Sequence, residues 1–130
     1  MIQLKFLEDL TGEDSSLSIG EVWFNQWNVF PKGVILVITL TDLIEFLNSK
    51  SKNTNWVGCD SGDYVWVNVE KGNIIFRGNQ HEFKEEYDSF ILELLKQAEF
   101  ILSDLLAKRS DVVKEGAFID LKSAIENSRR

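Results

Sequence analysis

Residues 82–109 constrain the fold most strongly, because this segment contains neither glycine nor proline and keeps one helical period throughout. At about 100° per residue its apolar side chains fall on one broad arc, as expected for a helix that packs on a core. The arc consists of Phe83, Tyr87, Phe90, Ile91, Leu94, Leu95, Ala98, Ile101, Leu102, Leu105 and Leu106. The sequence therefore predicts one long α-helix whose apolar face the other elements must cover.

The N-terminal part of the chain predicts strands around one polar loop. Residues 2–6 alternate between apolar and polar side chains, which predicts a half-buried strand. Residues 17–30 predict extended structure, either one bent strand or two short strands broken at Asn25 and Gln26. Between these strands, residues 11–16 combine turn formers with two adjacent acids, which predicts a solvated and mobile loop.

A continuous apolar run, residues 34–38, predicts a central strand because both of its faces are apolar. A short helix is predicted to follow, with Thr41 or Asp42 as its N-terminal cap, and then a polar loop over residues 49–55. Residues 110–116 end the long helical pattern. A short closing helix is predicted after them, with a buried stripe formed by Phe118, Leu121, Ala124 and Ile125.

Three further β-rich runs, residues 56–59, 64–69 and 74–77, predict an antiparallel meander because turn-forming segments separate them. The middle run alternates, so its valines are expected to face the long helix while Tyr64 and Trp66 face the other way. The predicted fold class is α+β. A single domain, residues 1–130, is expected to pack a curved antiparallel β-sheet on one long α-helix, with a short helix after the central strand and a short C-terminal helix.

Composition limits the kind of protein this chain can be. Its 130 residues suffice for one domain with its own core. The single cysteine cannot form an internal disulfide, and no apolar run approaches the roughly 18 residues of a membrane span. These features predict a cytoplasmic protein, with a monomer favoured over an oligomer.

The net charge of −7 is unevenly distributed. Residues 1–31 contribute −4 and residues 82–104 contribute −5, whereas residues 32–81 are neutral and residues 105–130 contribute +2. Nucleic acid and anionic membranes are disfavoured as partners, because both attract clustered lysine and arginine. A basic protein is the natural complement, although a negative charge of this size also serves solubility alone.

Motifs for catalysis and metal binding are missing from the sequence. His81 and Cys59 are the only residues of their types, and Asp60 beside the cysteine would raise the pKa of the thiol. Asp60-Ser61-Gly62-Asp63 resembles the start of a calcium loop, but the remaining ligands do not follow. No glycine-rich phosphate loop and no zinc-ligand spacing occur. The sequence therefore predicts a protein that is not an enzyme and has no cofactor and no metal.

Two surfaces remain as candidate sites for a protein partner. On the long helix, the wheel groups Phe100 with three acids, namely Glu86, Glu93 and Asp104, so that an aromatic side chain lies on an acidic stripe. The alternative is that Phe100 packs under the C-terminal segment. On the meander, Asp60 and Asp63 lie beside an aromatic sheet face with Tyr64 and Trp66. The alternative there is a second hydrophobic layer formed with Trp23 and Trp27.

The stretch 56–65, followed by a second hairpin and an acidic helix, resembles the immunity proteins of bacterial toxin systems, including those of contact-dependent growth inhibition. This resemblance implies a small protein that binds one cognate toxin domain, often a basic nuclease, and blocks it with an acidic surface.

Two other functions are compatible with the sequence. The chain could be a small-ligand-binding or enzymatic α+β domain with a cavity lined by Trp23, Trp27, Tyr64 and Trp66. It could also be a structural subunit that hides one of the two candidate surfaces in a homodimer.

Overall fold

The computed structural model describes residues 1–12 and 14–130, and this part of the chain forms an α+β fold with two antiparallel sheets and three α-helices. The predicted fold class is confirmed, but the strands form two four-stranded sheets instead of one curved sheet. None of the helices in the described residues is long and apolar enough to cross a membrane.

The first sheet contains the N-terminal strands. β1 (Ile2–Phe6) pairs antiparallel with β2 (Ile19–Phe24), which also pairs with β3 (Trp27–Asn28) and β4 (Val34–Ile35). The predicted break is confirmed, because Asn25 has a left-handed backbone (φ 56°) in the tight turn between β2 and β3.

The loop between β1 and β2 differs from its prediction. Glu13 lies outside the described residues, but Ser15 and Ser16 are buried in a short 3₁₀ helix, Ser15–Leu17. A solvated, mobile loop was expected there. Ser16 instead donates hydrogen bonds from its backbone nitrogen and its hydroxyl to the Glu115 carboxylate, at 3.2 and 2.5 Å.

The predicted central strand at residues 34–38 is wrong, because only Val34–Ile35 is a strand and α1 (Leu36–Asn48) begins directly after it. Leu36, Val37 and Leu40 are fully buried, so the first turns of α1 are apolar on almost every side. A fully buried helix and a fully buried strand give the same unbroken apolar run. Thr41 is therefore not a cap; its hydroxyl donates to the Val37 carbonyl within the helix, at 2.8 Å.

The second sheet is the predicted meander with one more strand, but its first strand covers Asn53–Val57 and so begins inside the segment predicted as a polar loop. β5 (Asn53–Val57), β6 (Tyr64–Glu70), β7 (Asn73–Gly78) and β8 (His81–Glu86) pair antiparallel in chain order. β8 occupies the segment predicted as the first turns of the long helix, which therefore starts later, as α2 (Tyr87–Lys108).

The misassigned segment is a hairpin strand because of the turn before it and its pairing with β7. Asn79 and Gln80 both have positive φ, 48° and 64°, which makes the turn that connects β7 to β8. Phe83 then pairs with Phe76 across the ladder and is buried. The same phenylalanine falls four residues before Tyr87, so it fits a helical period equally well in sequence.

Aromatic side chains from both sheets and from α2 meet in one core. The ring of Phe24 lies 4.6 Å from that of Phe76, 4.7 Å from that of Phe83 and 5.9 Å from that of Phe90, measured between centroids. The indole of Trp56 donates to the Thr39 carbonyl at 2.9 Å and so connects β5 to α1.

The C-terminal prediction is confirmed. After a 3₁₀ turn, Ser110–Lys114, the closing helix α3 (Gly116–Ser128) packs on α1 and α2. Its buried stripe contains the four expected side chains, Phe118, Leu121, Ala124 and Ile125.

Candidate functional site

The outer face of β6 exposes two aromatic side chains. Val65 and Val67 point into the core, so Tyr64 and Trp66 point away from it, with 64% and 38% of their surfaces exposed. Trp66 lies between Asn55 on β5 and Arg77 on β7. The predicted orientation of this strand is confirmed, and the second hydrophobic layer considered for this face is wrong.

The tryptophans proposed to cover this face lie elsewhere. Trp27 is buried, with its ring 5.3 Å from His81 and 6.0 Å from Phe24. Trp23 is on β2 in the other sheet. Because Trp27 is in the core and Tyr64 is on the outer surface, these side chains do not enclose the aromatic-lined cavity that a ligand-binding function would use.

The hydrogen-bonded turn that leads into β6 contains two acids, Asp60 and Asp63, which are close in sequence to the aromatic pair. The Ser61 hydroxyl donates to the Gly58 carbonyl at 2.7 Å and accepts from the Asp63 backbone nitrogen at 3.0 Å. Asp60 is exposed with φ 69°, and Asp63 directly precedes Tyr64. Neither carboxylate forms an ion pair within the described residues. We call Asp60, Asp63, Tyr64 and Trp66 the aromatic–acidic surface.

The acidic stripe predicted on the long helix does not form as one surface. Glu86 is the last residue of β8 and not part of α2. Glu93 is half-buried, and its carboxylate accepts a 2.6 Å hydrogen bond from the backbone nitrogen of Ile2. Glu93 therefore joins α2 to β1, and only Asp104 remains an exposed acid one turn from Phe100.

Phe100 is exposed, with 57% of its surface accessible, so the alternative that it packs under the C-terminal segment is wrong. It lies in a shallow concavity with Lys96, Glu99 and Ser103, so a base as well as an acid adjoins it. The sequence identified an exposed aromatic side chain correctly but not its surroundings.

A third acidic feature, which the sequence did not reveal, lies between α1 and α3. Asp42 and Glu45 on α1 and Asp120 on α3 line a concavity of about 360 Å³, and Glu45 and Asp120 also line an adjoining one of about 400 Å³. Burial and the neighbouring Glu45 raise the pKa of Asp42 above its ordinary value. Only the pairing of α1 with α3 brings these acids together.

The raised pKa of Asp42 leads to a prediction about pH. The folded protein holds the Asp42 proton more tightly than the unfolded chain, so this group's stabilising contribution is full below its ordinary pKa of 3.8 and is lost as pH rises through the folded value. We expect Asp42→Asn, which stays uncharged, to raise the urea midpoint at pH 7, with the gain shrinking as pH falls toward 3.8.

Glu45→Gln tests the same cause separately, because it removes the neighbouring charge but leaves Asp42 in place. A smaller rise in the urea midpoint at pH 7 is expected. A midpoint for Asp42→Asn at or below that of the wild type would contradict the inferred cost of holding Asp42 charged.

Cys59 and His81 do not resemble a catalytic pair. Burial, Asp42 and Asp60 raise the pKa of the Cys59 thiol, which keeps it protonated and weakly nucleophilic. The imidazole of His81 stacks on Trp27. Within the described residues, no group of three or more histidine, cysteine, aspartate or glutamate side chains could hold a metal ion.

Comparison with known proteins shows no matching family model, no similar curated protein and no similar solved structure. The function must therefore be inferred from the surface of the chain itself.

Proposed function

We propose that this chain is an immunity-type protein that binds a basic toxin domain, of the nuclease kind, and neutralises it through the aromatic–acidic surface. The observation that carries the proposal is the exposure of Tyr64 and Trp66 on an uncovered sheet face beside two acids without ionic partners. Neither nucleic acid nor a membrane is the expected partner, and no cofactor is required.

The chemistry of this surface suits a protein partner. Tyrosine and tryptophan supply large contact areas at low entropic cost, and they are enriched among the residues that dominate binding energy. Trp66 lies on a strand paired on both sides, opposite Asn55 on β5 and Arg77 on β7, so its backbone needs little further ordering on binding. Tyr64 and Trp66 are therefore expected to slow dissociation.

The charges are expected to act mainly on association. Asp60 and Asp63 lie next to the aromatic anchors, and the chain as a whole carries −7. Opposite charge on two partners can raise association rates from about 10⁵–10⁶ to 10⁸–10⁹ M⁻¹s⁻¹ at low salt. Rapid capture is what neutralising a toxin requires.

The test is protection from a toxin. Where the gene directly upstream encodes a large secreted protein, the C-terminal domain of that protein is expressed in a bacterial host, with and without this chain, and growth is measured. Wild type is expected to restore growth. The double variant Tyr64→Ala/Trp66→Ala is expected to lose protection and to raise the dissociation constant at least about tenfold, because it removes both anchors.

The matched control is Leu92→Ala, which truncates an even more exposed apolar side chain, 71% accessible, on α2. Protection by this variant should equal that of the wild type. Association of the wild type should also slow steeply with added salt, and Asp60→Lys/Asp63→Lys should weaken that salt dependence. A wild-type chain that gives no protection, or a double variant that protects fully, would overturn the proposal.

A further inference from the structure

An apolar groove runs between the C-terminal half of α2 and α3. It has a volume of about 330 Å³, and its walls include Leu102, Leu106, Val113 and Phe118. Leu106 and Val113 each expose 44% of their surfaces there, which is unusual for a pair of neighbouring aliphatic side chains without a partner. A cavity of only about 150 Å³ holds a benzene molecule, so this groove has room for a phenyl ring.

A phenyl ring is presented beside the groove by the same helix. Phe100 projects from α2 and is 57% exposed, and its concavity shares Glu99 and Ser103 with the groove. Residues three apart on a helix are surface neighbours, about 5–6 Å apart between Cβ atoms, so Phe100 adjoins the groove wall at Ser103. The protruding ring and the recess that could receive it therefore lie on one continuous surface.

The charges of this surface differ from those of the rest of the chain. Three bases, Lys96, Lys122 and Arg129, and two acids, Glu99 and Glu126, line the groove and the Phe100 concavity. Arg129 and Glu99 form an ion pair across the groove. The chain as a whole carries −7, whereas this lining has both signs, so bringing two copies together here adds little to the repulsion between their net charges.

We infer that this face, which we call the α2–α3 face, binds a second copy of the same chain in a twofold dimer. In a twofold dimer the Phe100 ring of each copy enters the groove of the other copy. The same contact, a protruding ring in a recess, is therefore made twice. A basic partner is not favoured here, because the lining has no excess of acids to attract one. The aromatic–acidic surface lies on β6 and the turn before it, and not on α2 or α3.

Sedimentation equilibrium over a range of protein concentrations tests this inference. The wild type is expected to shift reversibly from the 14.9 kDa monomer toward twice that mass as concentration rises. Phe100→Glu removes the protruding ring, and Leu106→Glu places a charge in the wall of the groove. Each substitution is expected to raise the dimer dissociation constant at least about tenfold. Both side chains are substantially exposed in the monomer, so circular dichroism should show that both variants fold.

Val57→Glu is the matched control, because Val57 is 52% exposed, comparable with Phe100, but lies on β5 of the second sheet. It adds the same charge and should leave the dimer dissociation constant within about twofold of wild type. A wild-type chain that stays monomeric at every concentration would overturn the inference, and so would a dimer that resists both Phe100→Glu and Leu106→Glu. Neither result would affect the protection assay, which depends on Tyr64 and Trp66.

Discussion

Replacing Phe24 by alanine is expected to lower the free energy of unfolding by about 3–5 kcal/mol, the range observed when a buried phenylalanine is truncated. Phe24 is 1% exposed on β2, and its ring connects the first sheet to the aromatic core of the second. Its ring lies within about 6 Å of five others, those of Trp27, Trp56, Phe76, Phe83 and Phe90. Truncation leaves a cavity where both sheets and α2 meet.

The control is the same substitution at an exposed position. Phe100→Ala removes an identical side chain from the outside of α2 and should change the free energy of unfolding by no more than about 0.5 kcal/mol. Urea denaturation followed by tryptophan fluorescence measures both variants, at protein concentrations low enough to keep the chain monomeric. A Phe24→Ala loss below about 1 kcal/mol would show that the sheets do not share the core described here.

Elements with strong local signals could be predicted from the sequence. Three features can be predicted from residues close together in sequence. They are the alternation at residues 2–6, the turn formers between β5, β6 and β7, and the stripe from Phe118 to Ile125. These features depend on neighbours within a few residues. Their predicted positions agree with the structure for that reason.

The two misassigned segments lack such evidence. Val34 to Ile38 is apolar at every position, so only the surrounding elements decide that it forms β4 and the start of α1. Phe83 satisfies a helical spacing to Tyr87, while the Asn79-Gln80 turn that makes it a strand contains no glycine. In both places tertiary packing decides the structure, and propensity does not.

The candidate sites follow the same pattern. The residues of the aromatic–acidic surface, Asp60, Asp63, Tyr64 and Trp66, are close together in sequence, so the sequence alone predicts them as a group. Asp42 and Asp120 are far apart in sequence and meet only because α1 packs on α3. The prediction of Glu93 as a binding residue fails because a distant residue contacts it. The backbone nitrogen of Ile2 on β1 donates a hydrogen bond to the Glu93 carboxylate.

Glu115→Ala is the substitution with the next largest expected effect on folding, about 1–3 kcal/mol, because it leaves the buried backbone N–H of Ser16 without its acceptor. Glu115 connects three parts of the chain. One carboxylate oxygen accepts from Ser16, and the other accepts from the Arg109 guanidinium at 2.6 Å. Arg109 also donates to the Gly12 carbonyl and to Asp111, the latter at 2.7 Å.

The cost arises from burial as well as charge. Ser16 is 1% exposed, and without Glu115 its backbone N–H has no other acceptor among the described residues. Glu115→Gln keeps an oxygen acceptor of the same length but loses the negative charge, so it should cost less than alanine. Glu126→Ala, which truncates an exposed glutamate on α3, should cost no more than about 0.5 kcal/mol.

Proteolysis distinguishes this connection from a general loss of stability. Releasing Glu115 should let residues 15–17 open locally, so the Glu115→Ala chain should be cleaved there faster than its global stability predicts. Phe24→Ala should instead speed cleavage at all sites together, because it weakens the shared core. Equal cleavage patterns in the two variants would mean that Glu115 does not hold this loop against the junction of α2 and α3.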